Sequence, residues 1–256
     1  MSLRLTSIQR FSTYDGPGIR TTLFTKGCSI RCPWCSNPEN LIYDIQDYRT
    51  ESGIKKTYGR DYSVEEVFEI CMRDKEFYGD NGGVTASGGE ALLQALGLSE
   101  LFTLLNDADI SCGIETSLYA PTTNLKLLLP KLDFLYVDMK ILNKEDAKKH
   151  LSGDLEIYNN NLDYLFGNYS KEKIIVRIPI VKGYTDNKEN MSECRKILEK
   201  YKPFRCEIFS VHNLGAAKYK SLGAEYKQFE TIDNDTLEKY KDYLAVNGVD
   251  LFINKL

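Results

Sequence analysis

Histidine is nearly missing from this chain: His150 and His212 are the only two in 256 residues. A zinc site completed by imidazole therefore has little to draw on. Long apolar runs are missing too. No stretch approaches the ~20 residues a membrane-spanning helix needs, and Met1-Ser2-Leu3-Arg4-Leu5-Thr6 lacks the apolar core of a secretory signal. Lys and Arg form no long runs and the formal net charge is -4, which argues against a dedicated nucleic-acid binder. Low-complexity tracts and linker-like boundaries are also lacking, so one domain over 1–256 is expected, long enough for a substantial core. Together these absences predict a soluble, cytoplasmic protein whose thiols stay reduced.

Against that background the cysteines stand out. Four of the seven, Cys71, Cys112, Cys194 and Cys206, are scattered singly and read as small core hydrophobes. The other three fall within Cys28-Ser29-Ile30-Arg31-Cys32-Pro33-Trp34-Cys35, where one loop can bring all three to one centre. Such density in a chain without a signal peptide reads as ligation of a metal or a cluster. A structural zinc site is closed by four protein ligands, whereas a site that does chemistry keeps a position open. An iron–sulfur cube usually takes four cysteines, so three would leave one iron free.

The chain alternates strand and helix patterns. Residues 3–13 predict a strand, Gly16-Pro17-Gly18 a turn, and Thr21–Lys26 a strand ending at the cysteine loop. Residues 40–61 are polar and tyrosine-rich without a clear period, and are expected to form a long surface excursion. Ser63-Val64-Glu65-Glu66 is a capping box, opening an amphipathic helix to about Phe77 on Val64, Val67, Phe68 and Cys71. Strands follow at 84–87, 110–116, 134–140, 173–181, 206–211 and 249–254, with helical stretches between them. The expected fold is α/β, a partial open (β/α)6 barrel with six central strands plus flanking ones.

Chemistry in parallel α/β folds gathers at the C-terminal ends of the strands. Gly88-Gly89-Glu90 follows one such end, where glycines admit a ligand to the backbone and a carboxylate can bind an ammonium. Glu115/Thr116, Asp138/Lys140 and His212 mark others. Arg177 lies inside the apolar run Ile174–Ile180 and needs a partner, for which a ligand carboxylate is a candidate. Trp34, the only tryptophan, offers a flat face beside the cysteines for an aromatic ligand such as adenine. Taken singly, each of these has a plain structural explanation; next to the cysteine loop they form a candidate site.

Cys28, Cys32 and Cys35 with Trp34 resemble the CxxxCx(aromatic)C motif of radical S-adenosylmethionine (SAM) enzymes. Asp15-Gly16-Pro17-Gly18-Ile19-Arg20 and Gly83-Val84-Thr85-Ala86-Ser87-Gly88-Gly89-Glu90 are similar to segments of the glycyl-radical-enzyme activating enzymes, the group that contains the pyruvate formate-lyase activating enzyme. Asp138-Met139-Lys140, Arg177 and His212-Asn213-Leu214-Gly215 continue the likeness in order, over nearly the whole chain. The resemblance implies one [4Fe–4S] cluster on Cys28, Cys32 and Cys35, with SAM on the open iron. Reductive cleavage to a 5′-deoxyadenosyl radical would then remove a hydrogen from a glycine of a partner glycyl radical enzyme. It further implies Trp34 at the adenosine, Gly88, Gly89 and Glu90 at the amino group, and Lys140, Arg177 and His212 at the carboxylate and ribose. Asp15 would lie near the partner's glycine loop and Asn37 near the cluster.

Two departures from the family pattern matter. Some relatives bind a monovalent cation (Na+ or K+) through an Asp-Thr pair and a later Asp; here the candidates are Glu115, Thr116 and Asp138. Many activases also insert a ferredoxin-like module with extra clusters, whereas residues 36–82 hold only Cys71. One cluster in a monomer is expected, with an electron from an external donor such as flavodoxin or ferredoxin, and 40–61 available for recognising the partner. The competing readings are a radical SAM enzyme acting directly on a small molecule or peptide (epimerase, dehydratase or decarboxylase) and a non-catalytic zinc protein.

Overall fold

The computed structural model describes residues 1–50 and 52–254. Among them run eleven strands: β1 Ser2–Ser12, β2 Arg20–Thr25, β3 Gln46–Arg49, β4 Lys55–Tyr58, β5 Arg60–Ser63, β6 Gly83–Gly88, β7 Ser111–Thr116, β8 Phe134–Asp138, β9 Ile174–Ile180, β10 Arg205–Ser210 and β11 Asp250–Ile253. Nine of these strands form one sheet in the order β11-β10-β9-β8-β7-β6-β2-β1-β5. From β2 to β11 every pairing is parallel, while β1 pairs antiparallel with both β2 and β5. The two edge strands are not paired with each other among the described residues, so the sheet is an open, partial barrel with helices crossing over between successive parallel strands.

Period two along each strand sorts its residues between two environments. Leu23, Val84 and Ala86, Cys112 and Ile114, Leu135 and Val137, Val176 and Ile178, Cys206 and Ile208 join one aliphatic cluster with the helices. Cys71 and Cys194 lie in that cluster as well, and all four single cysteines are buried free thiols. The alternate residues form a different interior. Phe134, Tyr136 and Ile175 make a separate small cluster, and polar Arg20, Thr85, Ser87, Glu115, Asp138 and Arg177 bond to one another and to nearby backbone.

Two local expectations change. The stretch 40–61, expected as a surface excursion without a clear period, contains strands: β3 and β4 form a hairpin stacked through Tyr48 and Tyr58, with ring centroids 4.0 Å apart, and Arg60 and Asp61 begin β5 at the edge of the main sheet. Its two polar faces hid the alternation. The helix opened by Ser63 has its capping box but ends at Met72, and a separate turn of helix spans Lys75–Tyr78. The break falls where the buried Asp74 turns its carboxylate inward to Arg10 and to the Thr21 hydroxyl, 2.8 Å away. Asn187 caps the helix Lys188–Tyr201, its side chain accepting from the Asn190 amide.

Candidate functional site

The C-terminal ends of the parallel strands open into one cavity of about 320 Å³. β2 leads into the cysteine loop, so Cys28, Cys32 and Cys35 line one wall with Trp34. All three thiols are free and partly exposed. Among the described residues no three His, Cys, Asp or Glu side chains are set closely enough to hold a single metal ion. A four-iron cube asks for thiols spread farther apart than a lone tetrahedral ion does, so the donor set (three thiols, no imidazole) fits a cluster better than zinc. Burial pushes the Cys28 thiol up to about 11 and raises Cys32 as well, Lys140 pulling Cys32 the other way. Cys35 is raised by burial. The Asn37 backbone N–H opposes that; Glu39 adds to it, and Lys140 and Lys218 oppose it.

Beside the start of the cysteine loop, β6 ends at Gly88 and Gly89 follows, both lining the cavity. Gly88 has φ 108°, and a Cβ there would sit 2.3 Å from the Thr25 amide nitrogen. A Cβ on Gly89 would sit 2.1 Å from the Gly27 carbonyl oxygen. The glycines thus let β6 close against the start of the cysteine loop, and the wall presented to a ligand is bare backbone. Glu90 is placed differently from its neighbours. It is fully buried and not part of the cavity lining; its carboxylate accepts from the Leu92 and Ser117 amides and from the Thr116 and Ser117 hydroxyls. It supports Thr116 and Ser117, which do line the cavity.

The charged strand ends meet as a network. Arg177 donates to both oxygens of Glu115, at 3.0 and 3.1 Å, and through Nε to Asp138 at 2.9 Å. Asp138 also accepts from Lys140 at 2.6 Å, and Glu115 from the Ser87 hydroxyl at 2.6 Å. Two carboxylates therefore face two cations. Burial opposes ionisation of Asp138, but Arg177 and Lys140 outweigh it and hold the carboxyl at about 2. Burial likewise opposes the charge on Lys140, which Asp138 more than restores. The Arg177 guanidinium lies 4.6 Å from the Tyr136 ring centroid. The partner expected for Arg177 is thus already supplied by the protein, and Glu115, Thr116 and Asp138 spend their oxygens on Arg177, Lys140 and Glu90.

Four further residues complete the rim. His212, just after β10, and Asn37 line the cavity. Tyr14 and Asp15 enter from the β1–β2 loop, the Asp15 carboxylate accepting from the Ser12 and Thr22 hydroxyls at 2.5 and 2.6 Å. That loop is pinned by fully buried Arg20, which donates to Pro17, Asn81, Val84 and Ser111 carbonyls and to the Thr85 hydroxyl. Trp34 is buried and meets Tyr184 edge-on at 5.5 Å. Sequence reasoning missed Ser117, the cage around Arg20, and the bridge from Lys218 to Asn37 and Glu39.

Residues 22–194, more than half of the chain, match the Radical SAM superfamily. The pyruvate formate-lyase 2-activating enzyme of Escherichia coli (strain K12) is 33% identical over 245 residues, covering 89% of this chain and 83% of that protein. The 4-hydroxyphenylacetate decarboxylase activating enzyme of Clostridioides difficile (strain CD196) is 26% identical over 297 residues, covering 96% of this chain and 94% of its own length. Among solved structures, a domain of a pyruvate-formate lyase-activating enzyme from Bacteroides vulgatus ATCC 8482 superposes with a TM-score of 0.56 at 18% identity. It covers 68% of this chain and 99% of that one, a likeness of fold.

Proposed function

The chain belongs to the radical SAM superfamily, and on that premise we propose that it activates a partner glycyl radical enzyme by installing a glycyl radical on it. The observation that carries this reading is the convergence of three free thiols, a bare glycine wall and the Glu115–Arg177–Asp138–Lys140 network on one cavity. The names of the relatives, activating enzymes that align with nearly the whole chain, support it. Cys28, Cys32 and Cys35 are the residues that would hold a [4Fe–4S] cluster. When bound, that cluster and SAM supply a 5′-deoxyadenosyl radical, which takes a hydrogen atom from the partner's glycine.

The chain's own residues bind, orient and exclude water. Gly88 and Gly89 offer backbone to the amino end of SAM. Lys140, Arg177 and His212 present cationic and donor groups to its carboxylate and ribose, and Trp34 walls the adenine side. Glu90 acts one layer back, holding Thr116 and Ser117. Asp15, tied down by Ser12 and Thr22, stands at the mouth where a glycine loop enters. A cation, Na+ or K+, at Glu115, Thr116 and Asp138 would compete with Arg177 and Lys140 for the same oxygens; titrating K+ against SAM affinity tests that competition.

The protein is read as a single domain and a monomer, without a ferredoxin-like insert. In support, the alignment with the Clostridioides difficile relative spans 297 residues against 256 here, so that relative holds residues with no counterpart in this chain. The segment after the cysteine loop is instead filled by β3, β4, β5 and a helix that buries Cys71. The electron is therefore assigned to an external donor such as flavodoxin or ferredoxin. No helix among the described residues is long and apolar enough to cross a membrane, in keeping with a cytoplasmic enzyme. The test is anaerobic incubation of the iron-loaded protein with SAM, reductant and candidate glycyl radical enzymes. A glycyl doublet in the EPR spectrum is expected; turnover of a small molecule with no such doublet would overturn the reading.

A further inference from the structure

One ion pair beside the cysteine loop is used by nothing described so far. Glu39 lies four residues after Cys35, and its side chain is 6% exposed. Oε1 accepts from Lys218 Nζ at 2.6 Å, while Oε2 is buried with no hydrogen-bond partner. The Glu39 carbonyl is clasped by the fully buried Lys26, 2.5 Å away. Lys218 also donates to Asn37 Oδ1 at 2.7 Å, two residues after Cys35. The helix carrying Lys218, Ala216–Ser221, is pressed onto the loop: a Cβ on Gly215 would lie 3.1 Å from the Ser36 carbonyl oxygen and 3.3 Å from that of Cys35. It is tied again from the far side, where the Ser221 hydroxyl meets Tyr58 OH at 3.0 Å.

A surface ion pair contributes little, but this one is half buried, and an orphaned buried oxygen asks for an explanation. The potential of an iron–sulfur cluster responds to nearby charge, to hydrogen bonds on its sulfurs and to solvent exposure. This corner places two of these beside the loop: Glu39 and Lys218 bring charge, and the Ala216–Ser221 helix with Gly215 covers the backbone of Cys35 and Ser36.

We propose that Glu39 and Lys218 are a pair of positioning residues that set the reduction potential of the cluster held by Cys28, Cys32 and Cys35. Reduction adds negative charge, so a nearby cation favours it and a nearby carboxylate opposes it. Screening is weaker at Glu39 than at Lys218, whose side chain is 37% exposed. The inference rests on the radical SAM reading, and its test reads potential rather than turnover.

The wild type, Lys218→Met, Glu39→Gln, the double variant and Lys218→Arg are each loaded with iron and sulfide. They are then titrated potentiometrically without SAM or partner, following the reduced cluster by EPR. Lys218→Met is expected to shift the midpoint to more negative potential and Glu39→Gln to less negative potential. The double variant should return towards the wild type, and Lys218→Arg should stay near it. Equal potentials throughout, or shifts of the same sign in the two single variants, would overturn the proposal, because a merely structural role has no reason to give opposite signs. If Lys218→Met fails to load, Glu39→Gln decides alone: an unchanged midpoint overturns the idea. A wild type that takes up no reducible cluster overturns the family-based reading itself, which separates the two failures.

Discussion

Two arginines on the inner face of the sheet solve the same problem in opposite ways. Arg20 and Arg177 each lie 4.6 Å from an aromatic ring of β8, Phe134 for the first and Tyr136 for the second. Arg20, at the N-terminal ends of the parallel strands, is held by neutral groups only, and burial lowers its pKa to about 10. Arg177, towards the C-terminal ends, is held by two carboxylates, which outweigh burial and raise it. A cation in a cage of carbonyls locks backbone segments together, here the β1–β2 loop, β6 and β7. A cation shared between carboxylates is part of an electrostatic surface that a charged ligand can join. The closed end of the barrel is thus built to stay and the open end to bind.

The sharpest contrast between the ends is chemical. Cys28→Ala, at the open end, should abolish cluster loading, read as iron per protein, while the far-ultraviolet circular dichroism of the apoprotein stays that of the wild type. Arg20→Met, at the closed end, should do the reverse. Leaving its buried acceptors unpaired should cost about 3 kcal/mol or more, read from the urea midpoint of the apoprotein at unchanged slope. If Arg20→Met proves nearly neutral, the distinction between the two ends fails.

The next contrast is in pH dependence. Asp138 is held at about 2 instead of the ordinary 3.8. A depressed carboxyl pKa stabilises the fold above about pH 4, and that stabilisation is lost as pH falls towards 2. The shift corresponds to about 2 kcal/mol. Arg177→Met removes one of the two cations responsible, so its deficit against the wild type should be largest near neutral pH and shrink between pH 4 and pH 2. The deficit of Arg20→Met should change less over that window, since its hydrogen-bond partners are neutral and among the carboxylates only Asp133 acts on its charge, without a hydrogen bond. Chemical denaturation at several pH values checks both. Smallest is Cys71→Ala, which removes one buried sulfur from the helix-side core and should cost about 1 kcal/mol without changing iron content.

Much of this was legible in the chain itself. The capping box at Ser63 and Glu66 depends on residues three apart, and the apolar alternation of β6, β8 and β9 on residues two apart. The β3–β4 hairpin was not legible because both its faces are polar, which leaves no alternation to detect. Nor was the helix break after Met72, which depends on Arg10 and Thr21 reaching Asp74 from two other strands. The site divides in the same way. The cysteines, the glycine pair and the charged strand ends could be picked out by type and spacing, but their partners could not. Glu90 was picked out for an ammonium, but nothing in its own stretch told of the amides and hydroxyls of Leu92, Thr116 and Ser117 that its buried carboxylate accepts from. Arg177 looked unpaired and is instead paired twice.

By itself the sequence determined the three-thiol loop, the succession of strands and crossovers, and the end of the sheet at which chemistry gathers. These follow from period and spacing, whose energetics are local. The tertiary structure alone decided which charges meet: Arg20 with carbonyls, Arg177 with Glu115 and Asp138, Lys218 with Glu39 across 179 positions of chain. Polar pairing depends on which groups the fold brings within about 3 Å and on how much water it leaves around them, and neither quantity is carried by any short stretch of sequence.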